Sequence, residues 1–376
     1  MKAKDFDCPS CGASLKPNRN MQTMTCPYCD STVIIPGAMQ NRSRDPWSDR
    51  GPAQTETVVL NTQPVQKSCS VAVVAVLVFI LGLGAAIFFL VNRSGQVSQV
   101  LGGGGVPVVL EFGGEGMGQG YFQNAEHIAV GPGGNIYVAE HAGGLVQIFD
   151  EQGNYLDEWN AGKDEDIYIT DMEVSRDGIM FLVYDSELYL HDAATGELLG
   201  QLEHPDGWGF EDLALGDDGR IAASWYCNRD DIVMFDPQGN LDYVLRGAVS
   251  NITGDSELSI QVALDGNGNI FAFGSFNEKV LKFSPSGRYL NMFGSSGDRP
   301  GQFTSPSAIC TDRMGNLWVS DFGDLIVFDN QGAYIGTVDP GRPIYDMVIT
   351  GDYQMLAIAA DETIVQLDLS EEVEDL

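Results

Sequence analysis

The sequence predicts an all-β fold, a six-bladed β-propeller, preceded by a small four-cysteine module and one transmembrane α-helix. Three observations predict it: a strand motif that recurs six times between residues 106 and 369, an uncharged apolar run at 71–91, and two CxxC pairs near the N-terminus. A chain of 376 residues exceeds one ordinary domain, so separate units are expected. Forty-five glycines beside only 19% charged residues suit tight turns between apolar strands. The net charge of −33 repels a phosphate backbone, which excludes nucleic acid as a partner of the propeller.

Cys8, Cys11, Cys26 and Cys29 stand as CxxC, fourteen residues, CxxC. Each CxxC turn presents two sulfurs to one ion, and two such turns close a tetrahedral thiolate shell around zinc. Pro9 and Pro27 stiffen both turns, and Gly12 permits the left-handed conformation after the first. Residues 6–36 thus resemble a zinc ribbon. A module of about 30 residues is too small for a sufficient apolar core, so the metal would be its core. A thioredoxin-like redox pair or two disulfides are the competing readings, but no βαβ pattern surrounds either motif. Four thiolates leave no open position, which points to structural zinc and a protein-interaction role. Residues 37–70, rich in Pro, Gln, Asn, Ser and Asp, are expected to be a flexible linker.

The run VAVVAVLVFILGLGAAIFFLV at 71–91 reaches about 31 Å as a helix, matching a hydrocarbon core of about 30 Å. It begins too far into the chain, and runs too long, for a cleavable signal peptide. Residues 1–70 carry eight Lys or Arg and six Asp or Glu, against twelve and 47 in residues 92–376. Metal-binding thiolates persist in a reducing compartment, so the N-terminus is expected in the cytoplasm and the acidic domain outside it. A Gly-rich linker at 92–105 follows the span.

The repeated motif reads IAVGPGGNIYVAE at Ile128, MEVSRDGIMFLVY at Met172, LALGDDGRIAASW at Leu213, VALDGNGNIFAFG at Val262, ICTDRMGNLWVSD at Ile309 and MVITGDYQMLAIA at Met347. The starts lie 44, 41, 49, 47 and 38 residues apart. Each unit has two strands around a Gly-containing turn, a third such as VQIFD, a QGN-like turn, and a fourth such as YLDEW. Four strands at this period indicate propeller blades. The sixth unit stops at its third strand, IVQLDL, before an acidic tail at 370–376. Its fourth strand stands at the other end, where VVLEFGGEGMGQGYF parallels YLNMFGSSGDRPGQF, so the two ends are expected to pair and close the ring. FGSSGDRPGQF, GNIYVAE and VQIFD resemble the NHL-repeat propellers, over residues 106–369.

In such a ring the first strand of each blade lines the channel. Its leading positions are His127, Asp171, Asp212, Gln261, Ala308 and Asp346. Three carboxylates and an imidazole on one axis could hold a hard cation such as calcium. The resemblance implies the same region, since related six-bladed hydrolases and lyases bind a metal there. A solvated acidic rim is the competing reading. Asp265, Asn267 and Asn269 begin like a calcium loop but lack its glycine and closing glutamate, and read as a hairpin turn. Trp208, Trp225, Tyr226, Trp318 and Phe322 are either surface anchors or inter-blade packing.

The expected function is a membrane-anchored scaffold without catalysis. Its propeller binds a protein, peptide or glycan, and its zinc ribbon binds an intracellular protein. The alternative is a channel-metal hydrolase or lyase using His127, Asp171, Asp212 and Asp346. An impermeant thiol reagent applied to intact cells is expected to modify Cys227 at once, and Cys8 only after permeabilisation and chelation. Simultaneous labelling of both would overturn the single span.

Overall fold

The computed structural model describes residues 6–7, 14–16, 23–25, 32–34, 105–162 and 167–375. The chain divides into two compact units, residues 1–90 and 91–376. In the first, β1 (Phe6–Asp7) pairs antiparallel with β2 (Ser14–Leu15), and β3 (Thr23–Thr25) with β4 (Thr32–Ile34). The four cysteines, the linker 37–70 and the span 71–91 fall outside the described residues. Among the described residues, no helix is long and apolar enough to cross a membrane.

The second unit is a six-bladed propeller, each blade a four-stranded antiparallel sheet. Blade 1 holds β6 (Ala125–Val130), β7 (Ile136–Glu140), β8 (Leu145–Phe149) and β9 (Tyr155–Asn160). Blade 2 holds β10 (Ile169–Val174), β11 (Ile179–Tyr184), β12 (Glu187–Asp192) and β13 (Leu198–Leu202). Blade 3 holds β14 (Phe210–Leu215), β15 (Ile221–Tyr226), β16 (Asp230–Phe235) and β17 (Leu241–Leu245). Blade 4 holds β18 (Ile260–Leu264), β19 (Ile270–Gly274), β20 (Lys279–Phe283) and β21 (Tyr289–Phe293). Blade 5 holds β22 (Pro306–Thr311), β23 (Leu317–Asp321), β24 (Asp324–Phe328) and β25 (Tyr334–Val338). Blade 6 holds β26 (Ile344–Thr350), β27 (Gln354–Ala359), β28 (Thr363–Asp368) and, from the other end of the domain, β5 (Val108–Gly113). The expected pairing of the ends is therefore present, with Ile364 opposite Phe112 and Val365 opposite Glu111. The acidic tail forms a short helix, Ser370–Asp375.

Second and third strands read as nearly continuous apolar runs because they are covered on both faces by neighbouring blades. Six buried clusters result, one at each junction between adjacent blades. The repeat is legible in the rings. At the junction of blades 6 and 1, Phe149 meets Phe112 at 4.8 Å and Phe122 at 5.9 Å. At the junction of blades 4 and 5, Phe328 meets Phe293 at 4.9 Å and Phe303 at 5.7 Å. Gly113 and Gly294 precede these crossings with φ of 85° and 79°, and a Cβ on either would lie within 2.7 Å of the following phenylalanine ring.

The Asp-x-x-Gly-Asn turns are held from within. Asp150, Asp236, Asp265 and Asp312 each accept backbone N–H bonds from residues two and four positions on. Asp265 thus serves a hairpin turn, as its sequence suggested.

Deleting residues 105–113 is expected to expose β28 as an open edge and strip Phe149 of its Phe112 contact. The urea midpoint should fall and self-association should appear in sedimentation. An unchanged midpoint would show that the ring does not depend on this closure.

Candidate functional site

The first strands of the blades touch one another in a closed ring, and they line a central cavity of about 460 Å³. All six leading positions named from the sequence, His127, Asp171, Asp212, Gln261, Ala308 and Asp346, contribute to its wall. A register shift marks the start of the first strand in blades 1, 2, 3, 5 and 6, where a bulge re-aims the side chain.

The channel carboxylates are already engaged. Asp346 Oδ2 accepts the N–H of Ile128 in the next blade at 2.9 Å, and its Oδ1 accepts that of Met347 at 2.8 Å. Asp171 accepts from Leu213 of blade 3 at 2.5 Å and from Met172 at 2.8 Å. Asp212 accepts from Val262 of blade 4 at 2.7 Å. Gln261 continues the pattern with an N–H donated to the Ser307 carbonyl of blade 5 at 2.6 Å. Each of these side chains is a clamp across a blade junction.

Burial raises the pKa of these groups. Asp346 moves from 3.8 to about 6, with the amides of Ile128 and Met347 opposing the shift. Asp171 and Asp212 are raised by burial and then by neighbouring carboxylate charge. Glu173, which sequence reasoning passed over, is raised for the same reasons. His127 falls from 6.5 to about 4, chiefly through burial.

The four expected channel ligands line one cavity, but they do not form a compact ligand set. Among the described residues, two groups bring one ligand atom from each of three residues within 4.8 Å: Glu126, His127 and His141, and His204, Asp206 and Asp231. The second is an ion-pair network. Arg229 holds Asp231 at 2.6 Å and Asp206 at 2.8 Å, and Arg246 holds Asp206 at 2.6 Å. His204 stacks on Trp225 with ring centroids 4.0 Å apart. The first group joins the predicted His127 to Glu126, which sequence reasoning passed over, and to His141, which the sequence places off the channel in a loop. Glu126 sits in the blade 1 bulge, and His141 begins the loop after β7. The signal for His141 is its place directly after the GNIYVAE strand, whose end borders the channel mouth.

Strand direction divides the remaining connections between two faces. Loops leading into first strands share one face with the loops between second and third strands. Of the large hydrophobic residues exposed in connections, that face carries Met117, Tyr121, Tyr168, Trp208, Ile252, Leu258, Phe276 and Phe322, and the opposite face carries Met314. Trp225 and Trp318 are buried packing, whereas Trp208 and Phe322 are exposed, so the sequence's two readings of these aromatics divide between them. Phe322 is 82% exposed and has φ of 46°, a left-handed conformation that is costly for a bulky side chain.

Replacing Asp346 with Ala should leave two amides without their acceptor and cost about 2 kcal/mol or more. Because the folded pKa lies above the ordinary one, the stability linked to this group is fully present below pH 3.8 and is lost as pH rises through about 6. Urea unfolding across that range should show a smaller decline in Asp346→Asn than in the parent. Equal declines would refute the assignment.

No family model matches the chain. The chain is similar to NHL repeat-containing protein 3 of Homo sapiens, with 24% identity over 210 residues, covering 54% of this chain and 51% of that protein. The Mus musculus protein of that name gives 25% over 211 residues, covering 55% and 52%. The chain therefore spans about half the length of the curated relatives it matches. In structure it overlaps a gluconolactonase of Xanthomonas campestris with TM-score 0.50 at 14% identity, covering 65% of this chain and 85% of that one, a likeness of fold.

Proposed function

We propose that the propeller is the ligand-binding platform of a membrane-anchored scaffold, docking a protein or peptide on the face that carries Trp208, Phe276 and Phe322. The observation that carries this reading is the asymmetry of exposed apolar side chains, eight on one face and one on the other. Large aromatic side chains at one surface are the usual anchors of recognition. Among the described residues, the connections of that face hold eleven Asp or Glu and four Arg. Arg229, Arg246 and Arg342 are ion-paired to carboxylates. A partner bearing Lys or Arg beside apolar groups fits this surface better than a neutral glycan.

In the same reading residues 71–91 cross the membrane, with the propeller extracytoplasmic. Cys8, Cys11, Cys26 and Cys29 hold a structural zinc in a cytoplasmic module that meets an intracellular protein. The alternative, a channel hydrolase or lyase built on calcium, draws less support. Its carboxylates Asp171, Asp212 and Asp346 already serve as clamps across blade junctions, and among the described residues they do not come together as a compact ligand set.

Phe322 offers a direct test, because its left-handed φ suits Asn better than Phe. Phe322→Asn is expected to stabilise the propeller by about 0.5–1 kcal/mol. Combined with Phe276→Ala, it should weaken capture of an immobilised Lys- and Phe-containing peptide library at least about tenfold. Gain of stability with loss of binding marks a residue kept for its ligand. Undiminished binding by the double variant, or no capture by the parent, would overturn the docking face.

A further inference from the structure

We propose that Glu126, His127 and His141 bind a divalent transition-metal ion, zinc foremost, at the mouth of the central channel. One ligand atom from each lies within 4.8 Å of the others. The main-chain geometry explains how three such groups meet. Successive strand residues ordinarily point to opposite faces, but the register shift between Ala125 and His127 breaks that alternation, and Glu126 and His127 both line the cavity. The His141 N–H donates to the Asn124 carbonyl at 2.9 Å, continuing the pairing of β6 with β7 by one step and setting the His141 ring beside Glu126.

Two features distinguish this group from a chance contact of polar side chains. His127 Nε2 is buried without a hydrogen-bond partner, while its Nδ1 lies 3.8 Å from Asp171 Oδ1. An imidazole that faces a carboxylate with one nitrogen and keeps the other unengaged has the arrangement of a metal ligand with its outer support. The His141 ring is likewise fixed, with Nδ1 2.8 Å from the Ile169 carbonyl and 3.1 Å from Glu126 Oε2, and its centroid 5.4 Å from that of the Tyr168 ring in a tilted contact. The second cluster, around His204, also holds a buried Nε2 without a hydrogen-bond partner, but that atom lies 3.4 Å from Asp231 Oδ2 and two arginines already neutralise the cluster's carboxylates.

The donor set selects the ion. Two imidazoles and one carboxylate suit zinc and its first-row neighbours, whereas calcium asks for six or more oxygens. Three protein ligands also leave a coordination position facing the cavity, unlike the closed thiolate set at Cys8, Cys11, Cys26 and Cys29. A small anionic or carboxylate-bearing molecule entering the channel mouth could occupy that position.

Cobalt(II) titration of the full-length protein in detergent separates the two metal sites by colour. Thiolate ligation gives intense sulfur-to-metal charge-transfer absorption, and nitrogen–oxygen ligation gives weak d–d bands alone. In a variant with Cys8, Cys11, Cys26 and Cys29 all changed to Ser, one equivalent of cobalt should still bind with d–d bands only, and zinc should displace it. Adding His141→Ala should weaken that binding at least about tenfold without lowering the thermal midpoint, and Glu126→Gln should weaken it while preserving a polar contact to His141. His204→Gln should leave it unchanged. Absence of cobalt binding in the four-serine variant, or binding indifferent to His141→Ala, would reduce the group to a hydrogen-bonded His–Glu pair and overturn the proposal. The peptide capture experiment is read independently of this result.

Discussion

The propeller depends on joining six separate sheets at their crowded inner edge. First strands of neighbouring blades touch without pairing, so their leading amides need acceptors from elsewhere. Side chains supply them. Asp346 links blade 6 to blade 1, Asp171 links 2 to 3, and Asp212 links 3 to 4. Placing carboxylates in a buried channel is costly, and their raised pKa values express that cost. The amides they accept offset part of it. An acidic channel is therefore a mechanical requirement of this ring before it is a sign of chemistry.

The same accounting explains what the sequence could reveal. Blade number, strand number and closure by β5 were all legible, because the period and the Gly-containing turns are local patterns repeated six times and the Phe–Gly crossing stands at both Phe112 and Phe293. The six channel positions were legible for the same reason, since each lies one residue before the start of the repeated motif. What a channel side chain does was not legible. An Asp that clamps an amide and an Asp that holds a cation look alike until their partners are known. His141 read as a residue away from the channel because its proximity to His127 arises from a bulge and a loop, neither of which leaves a periodic trace. The aromatic residues were ambiguous on similar grounds. Trp225 is next to last in a second strand and Phe322 directly follows one, yet one turns into a blade junction and the other into solvent.

The two faces of the ring carry different burdens. On one, aspartates such as Asp150, Asp236 and Asp312 are spent on turn amides, and their loops are short and repetitive. On the other, the connections vary from two residues at Phe322–Gly323 to fourteen between β17 and β18. Variable connections on a rigid scaffold can differ in shape without loosening the core. An exposed phenylalanine in a strained turn adds to this contrast, because solvent exposure offers no packing energy to offset its strain. Folding alone gives no reason to keep Phe322 there.

Blade 1 is where the clamp pattern breaks, and the break has a chemical result. In blades 2, 3 and 6 the leading side chain is an aspartate that reaches the amide after the corresponding position of the next blade. The equivalent amide beyond His127 is that of Met172, and Asp171 takes it with its own Oδ1. The same substitution occurs after Ala308, where Asp346 takes the Met347 amide. Ala308 has no polar atom to release. His127 does, and its Nε2 is left buried and unpartnered, as is Oε1 of Gln261, in a wall whose aspartates are engaged in clamps. A buried polar atom that folding does not satisfy needs another partner. The adjacent bulge brings Glu126, and the neighbouring loop brings His141, to the place where that partner would sit.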